Sequence, residues 1–516
     1  MKRNAINSGL KSVKSDVLIV GCYEGALENS STFKQLNGAG NSLLKRFAAA
    51  EDFTGKNGQT LSHFADGASG AQTVLLVGLG ERNKLNLQTL RTALVKAFRA
   101  VRGMKRPGAV TFAPLSLAGT SLTHLELAET FSAYAGMLDY RINHQKTAKL
   151  RFSEPGRIES LQLITSGLSA KTRSLAGLGL HNGGAIADAV NLARNLSNEP
   201  AKDCTPQRLA AVAQSIADNS GGTITCKLHG KAELEAMGAN ALLQVNAGSP
   251  LDPVLIELTY TPSTGATKEV LGFVGKGITF DSGGLDLKPA DGMRNMKRDM
   301  AGAAATLAAI EAVAKLQLPI SVKCFVAATE NMCDGKAYKP GDVIHTMGSI
   351  AVEVDNTDAE GRLTLADAIA YAKTQGVTCI VDLATLTGAV KQIGGDVAAG
   401  AFSNDDAFLA VVDKAATRAD EKLQPIRMYD ELRGFNDTEM ADVKNSGGAL
   451  AGSTTAAFFI REFVEYGGNT VPWVHLDIAG TAFRDRELGA DPRGATGFGV
   501  RTLIELARSA ARKNRK

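Results

Sequence analysis

No CxxC pair occurs among the six cysteines, Cys22, Cys204, Cys226, Cys324, Cys333 and Cys379, of this 516-residue chain. Sparse, unpaired cysteines in a large chain read as reduced and intracellular. Long apolar runs are missing as well. None approaches the roughly 18 residues of a membrane span. After the basic start Met1-Lys2-Arg3-Asn4, the run Val17 to Val20 is too short for a signal-peptide core and suits a strand. The expectation is a cytoplasmic protein with no membrane partner. Charge of one sign is missing too: 57 Lys and Arg stand against 53 Asp and Glu, a net +4, too little to imply nucleic acid or membrane binding. Proline is scarce at 14 residues while glycine is plentiful at 54, which points to tight turns and close packing in an ordered chain.

The length exceeds one ordinary core, so two domains are expected. Short apolar runs alternate with amphipathic stretches throughout. Asp16–Gly21 reads as a first strand and Thr73–Gly78 as another. Leu90, Leu94, Ala97 and Val101 recur at helical spacing between Leu87 and Met104, and Val110–Phe112 and Leu161–Ile164 resemble further strands. A long helical pattern runs from about Thr172 to Asn198 and stops at Asn198-Glu199-Pro200. Beyond it lie strands Val254–Tyr260, Glu269–Val274, Ile320–Ala327, Thr378–Asp382 and Trp473–Asp477, and helices Ala301–Leu316, Leu363–Thr374, Asp406–Lys422 and Ser453–Tyr466. The reading is α/β throughout: a smaller N-terminal α/β domain over 1–170, a linker helix over 171–198, and a larger C-terminal α/β domain over 199–516 with a mixed central sheet. The basic tail from Arg508 to Lys516 reads as frayed.

Two segments carry the chemistry. In the first, Gly275-Lys276-Gly277-Ile278-Thr279-Phe280-Asp281-Ser282-Gly283-Gly284, a strand ends and a glycine-flanked loop presents a lysine and an aspartate. Open α/β sheets hold ligands at such strand ends. Lys288 follows, then Asp299 just before an alanine-rich helix start whose small residues permit close packing. In the second, Asn356-Thr357-Asp358-Ala359-Glu360-Gly361-Arg362, two carboxylates at i and i+2 point the same way if the backbone is extended, with Arg362 beside them.

Gathered without compensation, Asp281, Asp299, Asp358 and Glu360 would raise one another's pKa values. Two divalent cations would neutralise them, and oxygen-rich sites of this kind suit manganese, magnesium or zinc. Cations about 3.5–4 Å apart can share a hydroxide and polarise a carbonyl. His63, His124, His144, His181, His229, His345 and His475 all lie outside both segments, which argues against a histidine-based zinc site. Each feature has a plainer reading: a solvated acidic pair, a surface lysine at 288, a helix cap at 299.

Both segments resemble the signatures of the leucine aminopeptidase family of cytosolic metallopeptidases. The likeness extends to Glu330-Asn331-Met332, Tyr338-Lys339-Pro340-Gly341-Asp342, Ala384-Thr385-Leu386-Thr387-Gly388 and His475-Leu476-Asp477-Ile478-Ala479-Gly480-Thr481, and so covers nearly all of the second domain. The resemblance implies a leucyl aminopeptidase that releases leucine and other, mainly apolar, N-terminal residues by a bridging-hydroxide mechanism, in intracellular peptide turnover. It implies that Asp281 and Glu360 bridge two metals (manganese or zinc, with magnesium or cobalt as alternatives), that Lys276 and Asp299 complete one site, and that Asp358 serves the other. It implies that Lys288 binds the substrate carbonyl oxygen, and that Arg362 holds a bicarbonate acting as general base. Met296, Thr385, Gly388 and Ala479 match positions lining the pocket for the first side chain, and Leu386 would offer a backbone carbonyl. A homohexamer acting on peptides is implied as well.

Modest departures are present: Asp286 stands where Ser or Thr is commoner, Asp355 where an uncharged residue is commoner, and Ala482 where some members carry methionine. Gly275-Lys276-Gly277 is not a Walker loop, because glycine follows the lysine where Ser or Thr is needed. Val77-Gly78-Leu79-Gly80 lacks the spacing of a dinucleotide fingerprint. The enzymatic alternative is a two-metal phosphoesterase. DNA binding, known among some bacterial relatives, finds no basic, aromatic-interleaved stripe here.

Overall fold

The computed structural model describes residues 1–39, 43–65, 67, 69–105, 107–142 and 156–513. The chain divides into two compact units, one of Met1–Asp188 with Glu487–Pro492, the other of Ala189–Arg486 with Arg493–Lys516. The helix Ala170–Asn198 runs from the first into the second.

The first unit is built on a six-stranded sheet in the order Lys2–Ile6, Ser160–Ile164, Ala109–Phe112, Ser15–Tyr23, Ala71–Gly80, Thr60–Phe64, parallel except for the last pair. Its central strands read as continuous apolar runs because both faces are covered. The helix Leu87–Arg102 starts at Asn86, whose side chain accepts from the Gln88 and Thr89 amides, and buries Leu90, Leu94, Ala97 and Val101. The expected first strand, at 16–21, is in fact the second. Lys2–Ile6 precedes it as an edge strand, and its largely exposed polar residues carry no apolar signal. A helix over His124–Leu138 also escaped the sequence reading, although Thr123 and Glu126 form a capping box at its start.

In the second unit an eight-stranded mixed sheet runs in the order Lys422–Pro425, Ala398–Ser403, Trp473–Asp477, Cys379–Ala384, Val270–Asp281, Ser321–Asn331, Val254–Tyr260, Ile224–His229. The four strands from Trp473–Asp477 to Ser321–Asn331 are mutually parallel, so their carboxyl ends share one edge. Among the described residues no helix is long and apolar enough to cross a membrane. The C-terminal segment is a helix, Val500–Lys513, that buries Leu503, Leu506, Ala507 and Ala510, so the tail is not frayed to that point. Residues 514–516 lie outside the described residues.

One strand is longer than its sequence suggests. Glycines at 275 and 277 read as the end of a strand, yet Val270–Asp281 is continuous, and Lys276 sits within it and not in a loop. Gly275 is there for contact. A Cβ at that position would lie 2.6 Å from the Ala303 Cα and 2.6 Å from the Thr306 Oγ1 of the helix Ala301–Lys315. Those neighbours are mostly helix backbone and cannot swing aside. Gly275→Ala is therefore expected to lower stability by about 1–3 kcal/mol through overpacking. The check is the thermal unfolding midpoint, and an unchanged midpoint would mean that the helix shifts freely.

Candidate active site

Four of the parallel strands deliver residues to one edge of the sheet, where open α/β folds place ligands. Val270–Asp281 supplies Lys276 from its interior and Asp281 at its end. Ser321–Asn331 ends on Asn331, Cys379–Ala384 runs into Thr385 and Leu386, and Trp473–Asp477 runs into Ile478 and Ala479. Asp299 lies between the short 3-10 helix Met296–Arg298, which carries Met296, and the helix Ala301–Lys315. Glu360 opens the helix Glu360–Thr374. Asp358 occupies a turn just before that helix, so the two acids are not on an extended segment as their spacing suggested. The turn nevertheless brings them together. Asp281, Asp358 and Glu360 each offer an oxygen within 4.8 Å of the others.

Two lysines lie among the acids. Lys276 Nζ is 2.8 Å from Asp299 Oδ2 and 2.8 Å from Glu360 Oε1, and it donates to the Thr385 carbonyl at 3.2 Å. Lys288 Nζ is 2.8 Å from Asp281 Oδ2 and also pairs with Asp358. Burial opposes the charge on both, but the surrounding carboxylates outweigh it and hold both ammonium groups above the ordinary lysine range. The side chain of Lys276 runs across Gly361, where any Cβ would overlap its Cε and Nζ. That overlap is the physical reason for glycine between Glu360 and Arg362.

Four carboxylates face two ammonium groups, a surplus of two negative charges. Burial first, then Asp281, pushes the Glu360 carboxyl up to about 8. Burial also raises Asp299, to about 6, against the opposing pull of Lys276, and raises Asp358. Glu360 Oε2 is buried with no hydrogen-bond partner. A buried acid with an unused oxygen and a strongly raised pKa is a group whose charged form needs a cation. The donor set is oxygen-rich with one amine, so it fits hard or borderline divalent ions.

Arg362 is 8% exposed and donates to the Asn445 carbonyl at 2.8 Å, while its Nε is buried without a partner. Burial lowers its pKa to about 10, opposed by Glu360 and Asp477. Among the described residues it makes no ion pair with Asp358 or Glu360, although Glu360 is near enough to act on its charge. Leu386, Thr385 and Ala479 are half-buried and Gly388 is exposed.

Several residues at the site carry roles that the sequence reading did not assign. Asn331 donates to Asp281 Oδ1 at 2.9 Å and to the Thr357 carbonyl at 3.1 Å, and Tyr338 donates to the same carbonyl at 2.7 Å. The unusual Asp286 accepts from the Thr357 amide at 2.7 Å and its hydroxyl at 3.0 Å, tying the two acidic segments together. Asn445 accepts from the Asp355 and Asn356 amides and donates to the Asn356 carbonyl. Ala482 is buried. None of the described histidines joins the acidic cluster: His475 pairs instead with Asp382 at 2.6 Å. His144 lies outside the described residues.

Residues 191–504 match the model of the cytosol aminopeptidase family catalytic domain, and 19–149 that of its N-terminal domain. With the acidic cluster, these matches define the class: a metal-dependent hydrolase that acts as an exopeptidase at peptide N-termini. The chain is 36% identical over 511 residues to a probable cytosol aminopeptidase of Alkaliphilus metalliredigens, covering 99% of both chains. It is 38% identical over 506 residues to one of Aquifex aeolicus, covering 98% of each. The chain belongs to the cytosol aminopeptidase family. Among solved structures it is similar to the bottromycin maturation enzyme BotP in complex with Mn, with a TM-score of 0.82 and 32% identity over 96% of this chain and 100% of that one. It is also similar to a tomato leucine aminopeptidase mutant, with a TM-score of 0.83 and 31% identity over 98% and 96% of the two chains.

Proposed function

We propose that the acidic cluster holds two divalent cations and that this centre removes leucine and other, mainly apolar, residues from peptide N-termini. The observation that carries the reading is the convergence of Asp281, Asp358 and Glu360 within 4.8 Å, with Lys276 and Asp299 beside them. Asp281 and Glu360 would hold both ions, with Lys276 and Asp299 completing one site and Asp358 the other. Manganese or zinc is the favoured metal, with magnesium and cobalt as alternatives. The neighbouring BotP structure is a complex with Mn. When bound, such ions acidify water and polarise a carbonyl.

The chain's own groups do the rest. Lys288 presents a protonated amine to the carbonyl oxygen as that oxygen gains negative charge. The unpartnered Nε of Arg362 suits a bicarbonate, which would supply a mild base there. Met296, Thr385, Gly388 and Ala479 line the pocket for the first side chain, and the Leu386 carbonyl receives an N–H of the substrate. The enzyme works in the cytoplasm, in keeping with six free cysteines, and as a homohexamer. DNA is not its primary partner.

Assays with leucyl p-nitroanilide and an aryl phosphate, each with defined metals added, test the reading. Metal-dependent release of nitroaniline supports it. Cleavage of the phosphate alone would sink it in favour of a phosphoesterase. A second test isolates Lys288. Lys288→Ala is expected to retain wild-type metal content and to lose about 10²–10³-fold in kcat, the usual cost of one transition-state electrostatic contact. A raised KM with unchanged kcat would make Lys288 a ground-state binder instead.

A further inference from the structure

Asp477 belongs to neither acidic segment, yet its carboxylate collects four donors from two separate loops. The Leu386 and Ala479 amides reach Oδ1 at 3.1 Å each. The Thr387 amide reaches Oδ2 at 3.1 Å and the Thr387 hydroxyl at 2.6 Å. The side chain is 1% exposed. A carboxylate withdrawn from water so completely is costly unless its oxygens are bonded, and here the N–H groups of the loops after two neighbouring strands bond them.

The geometry of a trans peptide gives these bonds a consequence. In each planar unit the N–H of one residue and the C=O of the residue before it point in opposite directions, and no cis peptide bond occurs among the described residues. Binding the Leu386 N–H on one side turns the Thr385 carbonyl to the other, where it accepts from Lys276 Nζ at 3.2 Å. Binding the Thr387 N–H likewise turns the Leu386 carbonyl away from Asp477. Two successive peptide units are thus oriented by one side chain, the first with its carbonyl on Lys276 and the next with its carbonyl turned away from Asp477. The Ala479 amide, held by the same Oδ1, joins the second loop to the first.

We propose that Asp477 is the positioning residue of the substrate pocket: it aims the Leu386 carbonyl at the substrate N–H and fixes the spacing between the 385–388 and 478–480 loops. It touches neither substrate nor metal and acts only through the backbone it holds. The proposal rests on the aminopeptidase reading above, which assigns the pocket to these loops.

The test uses the full-length enzyme loaded with Mn, with leucyl and alanyl p-nitroanilides as probes. Asp477→Asn keeps the shape but turns an NH2 group towards N–H donors, so one side of the grip is lost. The expected result is wild-type metal content, a fall in kcat/KM for the leucyl substrate of about 10–100-fold, carried mainly by KM, and a smaller leucine-over-alanine preference. Thr387→Val removes one donor from the same carboxylate, and it keeps the proposal testable should the asparagine variant not fold. It is expected to shift KM and preference in the same direction by a smaller factor. Unchanged KM and unchanged preference in either folded variant would overturn the proposal, as would a loss confined to kcat and equal for both substrates. Failure of the wild-type enzyme to release nitroaniline from either substrate would instead overturn the aminopeptidase reading.

Discussion

Asp281→Ala is expected to lose both metals and nearly all activity. Asp281 lies at the end of a strand and is 2% exposed. Its Oδ1 receives the Gly283 amide at 2.8 Å and the Asn331 side chain at 2.9 Å, which fix the carboxylate plane. Its Oδ2 is turned into the cluster, 2.8 Å from Lys288 Nζ. A ligand proposed to serve both ions is irreplaceable by either neighbour, because Asp358 and Glu360 have their own places to fill. Removing it also leaves Lys288 and Lys276 facing fewer anions, which disfavours a dication further. Elemental analysis after dialysis should show metal content falling from about two per chain to near zero, by the count of a two-metal site. Asp281→Asn, which preserves shape and hydrogen bonds to Oδ1, should behave almost as badly because the charge is what matters. Near-normal turnover in either variant would refute the assignment.

Lys276→Arg should produce the second large effect, a selective one. A free lysine amine is cationic below a pKa of about 10.4, and it must give up a proton to offer a metal its lone pair. A dication displaces that proton more readily than bulk solvent does. Arginine keeps its charge at any accessible pH and has no such lone pair. Its planar fork would also have to fit beside Gly361, already in contact with the lysine stem. A permanent cation would then sit between Asp299 and Glu360, where the lysine amine lies 2.8 Å from each. Metal content should fall from about two per chain towards about one, by the same site count, with most activity lost. Asp358, Asp281 and Glu360 would still hold the second ion. Two tightly bound ions with intact activity would reduce Lys276 to a structural counter-charge.

How far these residues could be read from the chain depended on what each feature rests on. Strands such as Val254–Tyr260 and Trp473–Asp477 were legible to the residue because each is an apolar-rich run that starts directly after a proline, Pro253 or Pro472. Val270–Asp281 was cut short in the sequence reading because glycine signals both turns and close contacts. Only the packed helix shows which applies at Gly275. The acids and lysines of the centre were legible because they lie in two short segments with a family resemblance, and charge counting already asked for a cation. The bend that brings Asp358 to Glu360 was not, since i and i+2 spacing is the same in a strand and a turn. Asp477, Asn331 and Asn445 are single polar residues most of whose partners lie some 26 to 91 positions away. No local pattern carries that information.

The roles carried by strands, those of Lys276, Asp281, Asn331 and Asp477, fall in the middle of the eight-stranded sheet, and none falls on Ile224–His229 or Lys422–Pro425 at its edges. This arrangement divides the scaffold by evolutionary freedom. A substitution or insertion at an outer strand alters a border that supplies no functional atom, so drift and loop grafting can proceed there. A one-residue slip in any middle strand would move every residue that strand contributes to the opposite face. The same sheet is therefore permissive at its margins and nearly immovable at its centre.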